Sequence, residues 1–132
     1  MAAGIHVLGV DSLLRAFGAG RVSVVAATDH YLERIERHDP VLKAFTHVDA
    51  AGARAAAAAS AARWDAGTAR PMEGVPVAVK ANIDVAGWPV HGGMAAFGRR
   101  VPARDAEVVR RLKAAGAVIL GLTNLHEGAL GA

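Results

Sequence analysis

Apolar residues recur at intervals of three and four between Val24 and Ile35. Val24, Ala27, Tyr31, Leu32 and Ile35 share one face, and Glu33, Glu36 and Arg37 occupy the other. That spacing predicts an amphipathic helix. Ser23 is placed to cap its first turn, and Asp39-Pro40 to end it near His38, because the residue before a proline avoids the helical region. A shorter helix is predicted over 10–18, stopping at Gly18-Ala-Gly20. After Pro40 the pattern turns to alternation, predicting a short strand over 41–48 with Phe45 and His47 on one face and Ala44, Thr46 and Val48 on the other. Asp49 then caps an alanine-rich stretch from 50 to about 64, read as a plain surface helix, since alanine favours helix but buries little area.

The second half of the chain has a different pattern. Gly74-Val-Pro-Val-Ala-Val-Lys80 shows no alternation, which predicts a strand buried on both faces, as in a parallel sheet, with Pro76 near its start. Residues 84–102 are rich in glycine and proline and aperiodic, a long loop of the kind usually retained for function. Asp105 is expected to cap a helix running to 115, with Val108, Val109, Leu112 and Ala115 as its apolar stripe and Gly116 just past its end. Residues 117–121 read as a second buried strand, and Thr123 or Asn124 opens a last helix containing His126 and Glu127. Strand, loop, helix, strand is a βαβ order with a right-handed crossover, so the fold class is α/β.

Composition narrows the functional classes. The chain has 132 residues, enough for one domain or part of one. Hydrophobic residues at 53% and charged residues at 20% exclude intrinsic disorder. No apolar run reaches membrane-spanning length, and no basic segment precedes the short apolar stretch at the N-terminus, so a cytoplasmic protein without a membrane partner is expected. The absence of cysteine removes disulfides, thiol nucleophiles and thiolate zinc sites. The net charge of +3 is scattered along the chain, which gives no basic footprint for nucleic acid.

Lys80 is the most informative single residue, at the C-terminal end of an apolar strand, where open α/β sheets place their ligands. Desolvated there, its ammonium form would be disfavoured and the amine could take a proton from a hydroxyl; solvated, it would simply reach into water. The six histidines show no metalloprotease spacing, so no metal is expected. His91-Gly92-Gly93 is similar to an esterase oxyanion loop, but the nucleophile elbow that accompanies such loops does not occur. The three serines, Ser12, Ser23 and Ser60, fall on predicted helices or caps remote from Lys80. Neither a dinucleotide fingerprint nor a P-loop is present, and no cofactor is expected.

Three ordered blocks carry a family resemblance. The stretch from Gly74 through Lys80 to Gly87, the stretch from Arg104 to Gly121, and Thr123-Asn-Leu-His-Glu127 together resemble the lysine region of the amidase signature family. The first 70 residues are also similar, including the long helix and Lys43-Ala-Phe-Thr. The resemblance implies a mixed sheet flanked by helices and a Ser–cis-Ser–Lys triad that hydrolyses the C–N bond of a small-molecule carboxylic amide. In that triad Lys80 is the base; Asn82, which shapes the following loop, and His91 are candidates for contacting substrate. The family's usual Asp after the lysine is Ala81 here, and Val90-His-Gly-Gly-Met94 stands where a Thr-Thr-Ala-Gly-Ser-like stretch is usual. Both serines of the triad belong to a Gly/Ser-rich segment that would lie beyond Ala132. Residues 1–132 are therefore expected to be the N-terminal part of a single amidase domain, helical over 1–66 and α/β over 67–132, and inactive alone. Self-association through the exposed edges of strands 75–80 and 117–121 is also expected. Two alternatives stand beside a stand-alone amidase: the amidase-type subunit of a glutamyl-tRNA(Gln)/aspartyl-tRNA(Asn) amidotransferase, and a non-enzymatic remnant acting as an interaction module.

Overall fold

The computed structural model describes residues 4–98 and 100–131. A single 3-10 turn (Ile5–Val7) leads into α1 (Val10–Gly18), α2 (Val24–Leu42), β1 (Phe45–Val48) and α3 (Ala50–Asp65). There follow β2 (Pro76–Lys80), a 3-10 turn (Ala95–Phe97), α4 (Glu107–Ala114), β3 (Val118–Thr123) and a closing 3-10 turn (Glu127–Ala129). The sheet is mixed, in the order β1-β3-β2, with β2 parallel and β1 antiparallel to β3.

Ser23 caps α2 as its sequence position suggests, its Oγ accepting from the Ala26 N–H at 3.0 Å. The helix does not stop at Asp39-Pro40, however, but runs to Leu42, because a proline in the last turn removes only one hydrogen bond. Asp39 ends the helix from within. Its carbonyl takes the Lys43 N–H at 2.8 Å, and its Oδ1 takes the Ala44 and Phe45 N–H groups at 2.6 and 3.1 Å. The strand expected over 41–48 is accordingly shortened to Phe45–Val48.

Asp49 caps α3 through the Gly52 N–H at 2.9 Å. That helix is not a plain surface helix, since Ala53, Ala57 and Ser60 form a buried seam. Small side chains let it lie close to its neighbours: Ala53 packs with Leu32, Val118 and Leu120, and Ala57 with Leu13, Phe17 and Val24. On the opposite side of the sheet Val79, Ile119 and Leu122 pack with Val109 of α4 and with Val85 and Val90 of the long loop. Leu120 is an extra residue in β3 opposite β2, a bulge that shifts the alternation; Val118 and Leu120 therefore face α2 and α3, while Ile119 and Leu122 face α4.

Four further expectations are corrected. Asp105 does not cap α4; its carboxylate accepts from the Ala86 N–H at 2.8 Å and pairs with Lys113, tying the long loop to the helix. No α-helix opens at Thr123 or Asn124, because Thr123 completes β3 and Asn124 bonds back to the Lys43 carbonyl. And β2 is buried on one face only: Val79 is buried whereas Ala78 and Lys80 are exposed. Residues 117–121 expose no edge either, since β3 is the central strand; the outer strands are β1 and β2.

One buried carboxylate joins these layers. Glu73 has no solvent exposure. Its Oε1 accepts from Ser60 Oγ at 2.5 Å and Arg70 Nη2 at 2.9 Å, and its Oε2 accepts from Arg70 Nε at 2.6 Å and the Arg70 N–H at 3.2 Å. The Arg70 guanidinium, with help from Ser60, holds the carboxyl at about 2 against an ordinary 4.5. Replacing Arg70 by Ala strands a buried charge and is expected to cost about 3–5 kcal/mol. Glu73→Gln, neutral and of the same shape, should cost nearer 1–3 kcal/mol. Because the folded value is depressed, this contribution is complete above pH 4.5 and is lost as the pH falls from 4.5 toward 2. Urea unfolding of both variants, and of the parent chain between pH 7 and pH 3, checks the order and the direction.

Candidate active site

β2 delivers Lys80 to the C-terminal end of the parallel β2–β3 pair. Alternation along β2 puts Pro76, Ala78 and Lys80 on one face, and the strand register sets Lys80 beside Thr123 and Thr123 beside Phe45. The Lys80 side chain is exposed.

The peptide after Lys80 is clamped on both sides. The Ala81 N–H donates to the Thr123 carbonyl at 2.9 Å, the Ala81 carbonyl accepts from the Gly92 N–H at 2.9 Å, and the Gly92 carbonyl accepts from the Gly128 N–H at 2.9 Å. Ala81, standing where the resemblance has Asp, has no solvent exposure, which suits a methyl group. The His91-Gly-Gly turn is thus fastened to the end of β2 and to the closing segment of the chain. His91 Nδ1 accepts from the Gly93 N–H at 3.0 Å, fixing the turn from within.

Asn82 and His91 come together as lining residues of one open cleft of about 690 Å³ whose walls include Ile83, Met94, Phe97 and Val108. At its rim Arg100 grips Asp84 through two hydrogen bonds of 2.6 Å, which hold the Asp84 carboxyl below its usual range. The long loop is anchored across its neck by Val90 N–H to Arg100 carbonyl and Gly87 N–H to Pro102 carbonyl, both at 3.0 Å. Lys80 is not among the lining residues of this cleft. A second cleft of about 490 Å³ lies between the C-terminal half of α2 and the sheet, with Ala78 and Pro76 in its floor and Tyr31, Arg34 and His38 in its wall. Sequence reasoning does not single out Arg34 or His38. Their i, i+4 spacing on α2 is the available signal, and an ordinary solvated face shares it.

The three serines are engaged elsewhere. Ser12 accepts from Arg15, Ser23 caps α2, and Ser60 donates to Glu73. What these residues offer chemically is a lysine at the mouth of a parallel strand pair, on a rigidly held backbone.

Comparison with known proteins identifies the setting. The sequence model of the Amidase family matches residues 26–132. The chain belongs to the amidase family. It is 44% identical over 119 residues to the putative amidase AmiB2 of Mycobacterium tuberculosis, covering 90% of this chain and 26% of that protein. It is also 44% identical over 122 residues to a glutamyl-tRNA(Gln) amidotransferase subunit of Ralstonia pickettii, covering 92% of this chain and 24% of that protein. Among solved structures, a chain from a vestigial protein complex that reveals the evolutionary origins of an s-triazine catabolic enzyme superposes with a TM-score of 0.86 at 33% identity, over 91% of this chain and 27% of that one. The chain therefore spans about a quarter of the length of the relatives it matches. The mixed α/β fold that the resemblance implied is the fold found, and no helix among the described residues is long and apolar enough to cross a membrane.

The clamp makes a specific prediction about Gly93. Its φ is +73°, and a Cβ placed there would meet the His126 carbonyl oxygen at 2.9 Å and the Leu125 carbonyl oxygen at 3.1 Å. Gly93→Ala should therefore detach the turn from the closing segment. Amide exchange at Gly92 and Gly128 is expected to accelerate, while exchange within α3 stays at the parent rate.

Proposed function

We propose that Lys80 is the base of an amide-hydrolysing site, acting through serine hydroxyls that this chain does not itself supply. The supporting observation is the placement of Lys80 at the carboxyl end of β2, exposed, beside Thr123, on a backbone held from both sides. Open α/β sheets gather their chemistry at such strand ends.

In the triad that the family resemblance implies, a serine oxygen attacks the amide carbonyl carbon. The Lys80 amine accepts the hydroxyl proton through the bridging serine, and the proton is returned to the departing amine as the C–N bond breaks. Water then cleaves the resulting ester, releasing the carboxylic acid and restoring the serine. Backbone N–H groups stabilise the oxyanion formed in each half. The contribution of this chain is the base and its clamp, with Asn82 and His91 reaching substrate from the adjoining cleft. The scheme uses no cofactor. On this reading residues 1–132 are the N-terminal part of one amidase domain in a cytoplasmic protein acting on a small-molecule amide.

A second reading rests on the equal identity to an amidotransferase subunit. There the same lysine would serve a site that works with partner subunits, and the substrate would be theirs to deliver.

The chain alone should release no amine from aryl or alkyl amides; turnover that Lys80→Ala abolishes would show that the nucleophile lies within it. In an assembled site, Lys80→Ala should lower kcat/KM by about 10⁴-fold or more. Lys80→Arg, which keeps the charge but cannot give up its proton, should be equally inactive. An active Lys80→Arg enzyme would remove the base role.

A further inference from the structure

We propose that the hydrogen bond between His6 and His30 is an acid-released latch, which fastens the N-terminal 3-10 turn to α2 near neutral pH and lets it go once both rings are charged. The pair lines neither of the two clefts described above, and the latch does not depend on the role of Lys80. His6 belongs to the turn Ile5–Val7 and His30 to α2. His6 Nδ1 and His30 Nε2 lie 3.1 Å apart, with the two rings 12° from parallel and their centroids 5.2 Å apart. The Tyr31 ring meets the His30 ring edge-on, at 5.7 Å and 81°. The remaining hydrogen bonds of the segment stay within it, from the Val7 N–H to the Gly4 carbonyl and from the Leu8 N–H to the Ile5 carbonyl. Among the described residues no ion pair and no other hydrogen bond joins residues 4–8 to α2. What else holds the turn is apolar: Ile5 and Leu8 pack, partly buried, on the cluster of Leu13, Phe17, Val24 and Ala27, whereas Val7 is 74% exposed. A segment with so few contacts opens locally before the core does.

A neutral imidazole has one N–H and one bare nitrogen, and an imidazolium has two N–H groups. The bond needs a bare nitrogen on one of the two rings. It survives one added proton and fails at the second, when two N–H groups face each other across the same 3.1 Å. Arg34 on α2 adds a further positive charge. Loss of solvent in the contact, then Arg34, then His30, hold the His6 ring below its ordinary 6.5. Little offsets this repulsion. Asp29, beside His30, is engaged by Arg54 of α3, and Arg15 of α1 donates to Ser12. The carboxylates of Asp11 on α1 and Glu33 on α2 make no ion pair with either ring. A histidine whose value is lowered in the attached form favours attachment fully above pH 6.5 and progressively less as the pH falls below it. With the bond gone, only Ile5 and Leu8 hold the turn, and the balance moves to the detached form.

The test follows the methyl resonances of Ile5 and Leu8 and the ring resonances of His6 and His30 in the full 132-residue chain, from about pH 7.5 to about pH 5. That window lies above the one in which Glu73 titrates, so release is read in a folded chain. In the parent, the Ile5 and Leu8 methyls should move to their unfolded-chain positions as the second ring gains its proton, while the Val118 methyls stay in place. His6→Asn and His30→Gln each keep a polar atom at the facing position and cannot take up a proton. Both should move the release down by at least about one pH unit or abolish it. Arg34→Gln removes a charge that opposes the protonated pair, and it should also move the release to lower pH. If either histidine substitution frees the turn already at neutral pH, the bond is shown to be the tie, and Arg34→Gln decides the acid step. A parent turn still attached at about pH 5 would overturn the inference. So would release at the parent's midpoint in the histidine variants, or in Arg34→Gln where it decides, and so would loss of the Val118 signals together with those of Ile5 and Leu8.

Discussion

The buried Glu73 carboxylate is the constraint on which the layers depend. Its two oxygens are filled by Ser60 from α3 and by Arg70 from the preceding turn, and its carbonyl accepts from Trp64 Nε1 at 3.2 Å. Arg70 reaches on to the Lys113 carbonyl at 3.3 Å, at the end of α4. The helix that packs on one side of the sheet and the helix that packs on the other are thus referred to one charge. Gly116, at φ +101°, passes so close that a Cβ would sit 2.8 Å from the Glu73 Cα. The backbone bonds Met72 N–H to Ala115 carbonyl and Gly74 N–H to Gly116 carbonyl, both at 2.8 Å, run beside it. These bonds set the start of β2 against the start of β3; beyond the Leu120 bulge the register shifts by one residue and places Lys80 beside Thr123.

Elements governed by local signals are legible in the sequence. Ser23 and Asp49 each precede a helix by one residue, and each accepts from an N–H of its first turn, so position and chemistry agree. Lys80 at a strand end and the parallel strand pair follow from an unalternating apolar run and the helix between the strands. What fails depends on distant partners. Asp105 has the composition of a cap, but the Ala86 N–H and Lys113, 19 and 8 residues away, compete for it and win. Asp39-Pro40 reads as a stop because the rule concerns a proline within a helix; one placed in the last turn forfeits little when the aspartate beside it satisfies the N–H groups of Lys43, Ala44 and Phe45. The alanine helix reads as surface because alanine buries little area, although its small size is what allows α3 to sit against α2 and β3. Nothing local to Glu73 marks it as buried: its partners are a serine 13 residues earlier and an arginine that would otherwise be counted as a surface charge.

The site itself is half legible. Lys80, Asn82 and His91 are close in sequence, yet the fold sends them to different places: Asn82 and His91 line the cleft beneath the long loop, while Lys80 ends the row that begins with Pro76 and Ala78. Residues two apart on a continuing strand share a face, so Lys80 and Asn82 would stay together unless the chain turned between them. Here it turns at once. The Ile83 N–H bonds the Lys80 carbonyl at 2.9 Å, and the His91-Gly-Gly segment returns to Ala81. Asn82 and His91 thus line a cleft on one side of this turn, while Lys80, a lining residue of neither described cleft, stands exposed at the strand end. The main chain at Ala81, Gly92 and Gly128 is hydrogen-bonded on both sides of this turn. A lysine exposed at a strand end has no surrounding core to hold it, and its placement has to come from the main chain beneath.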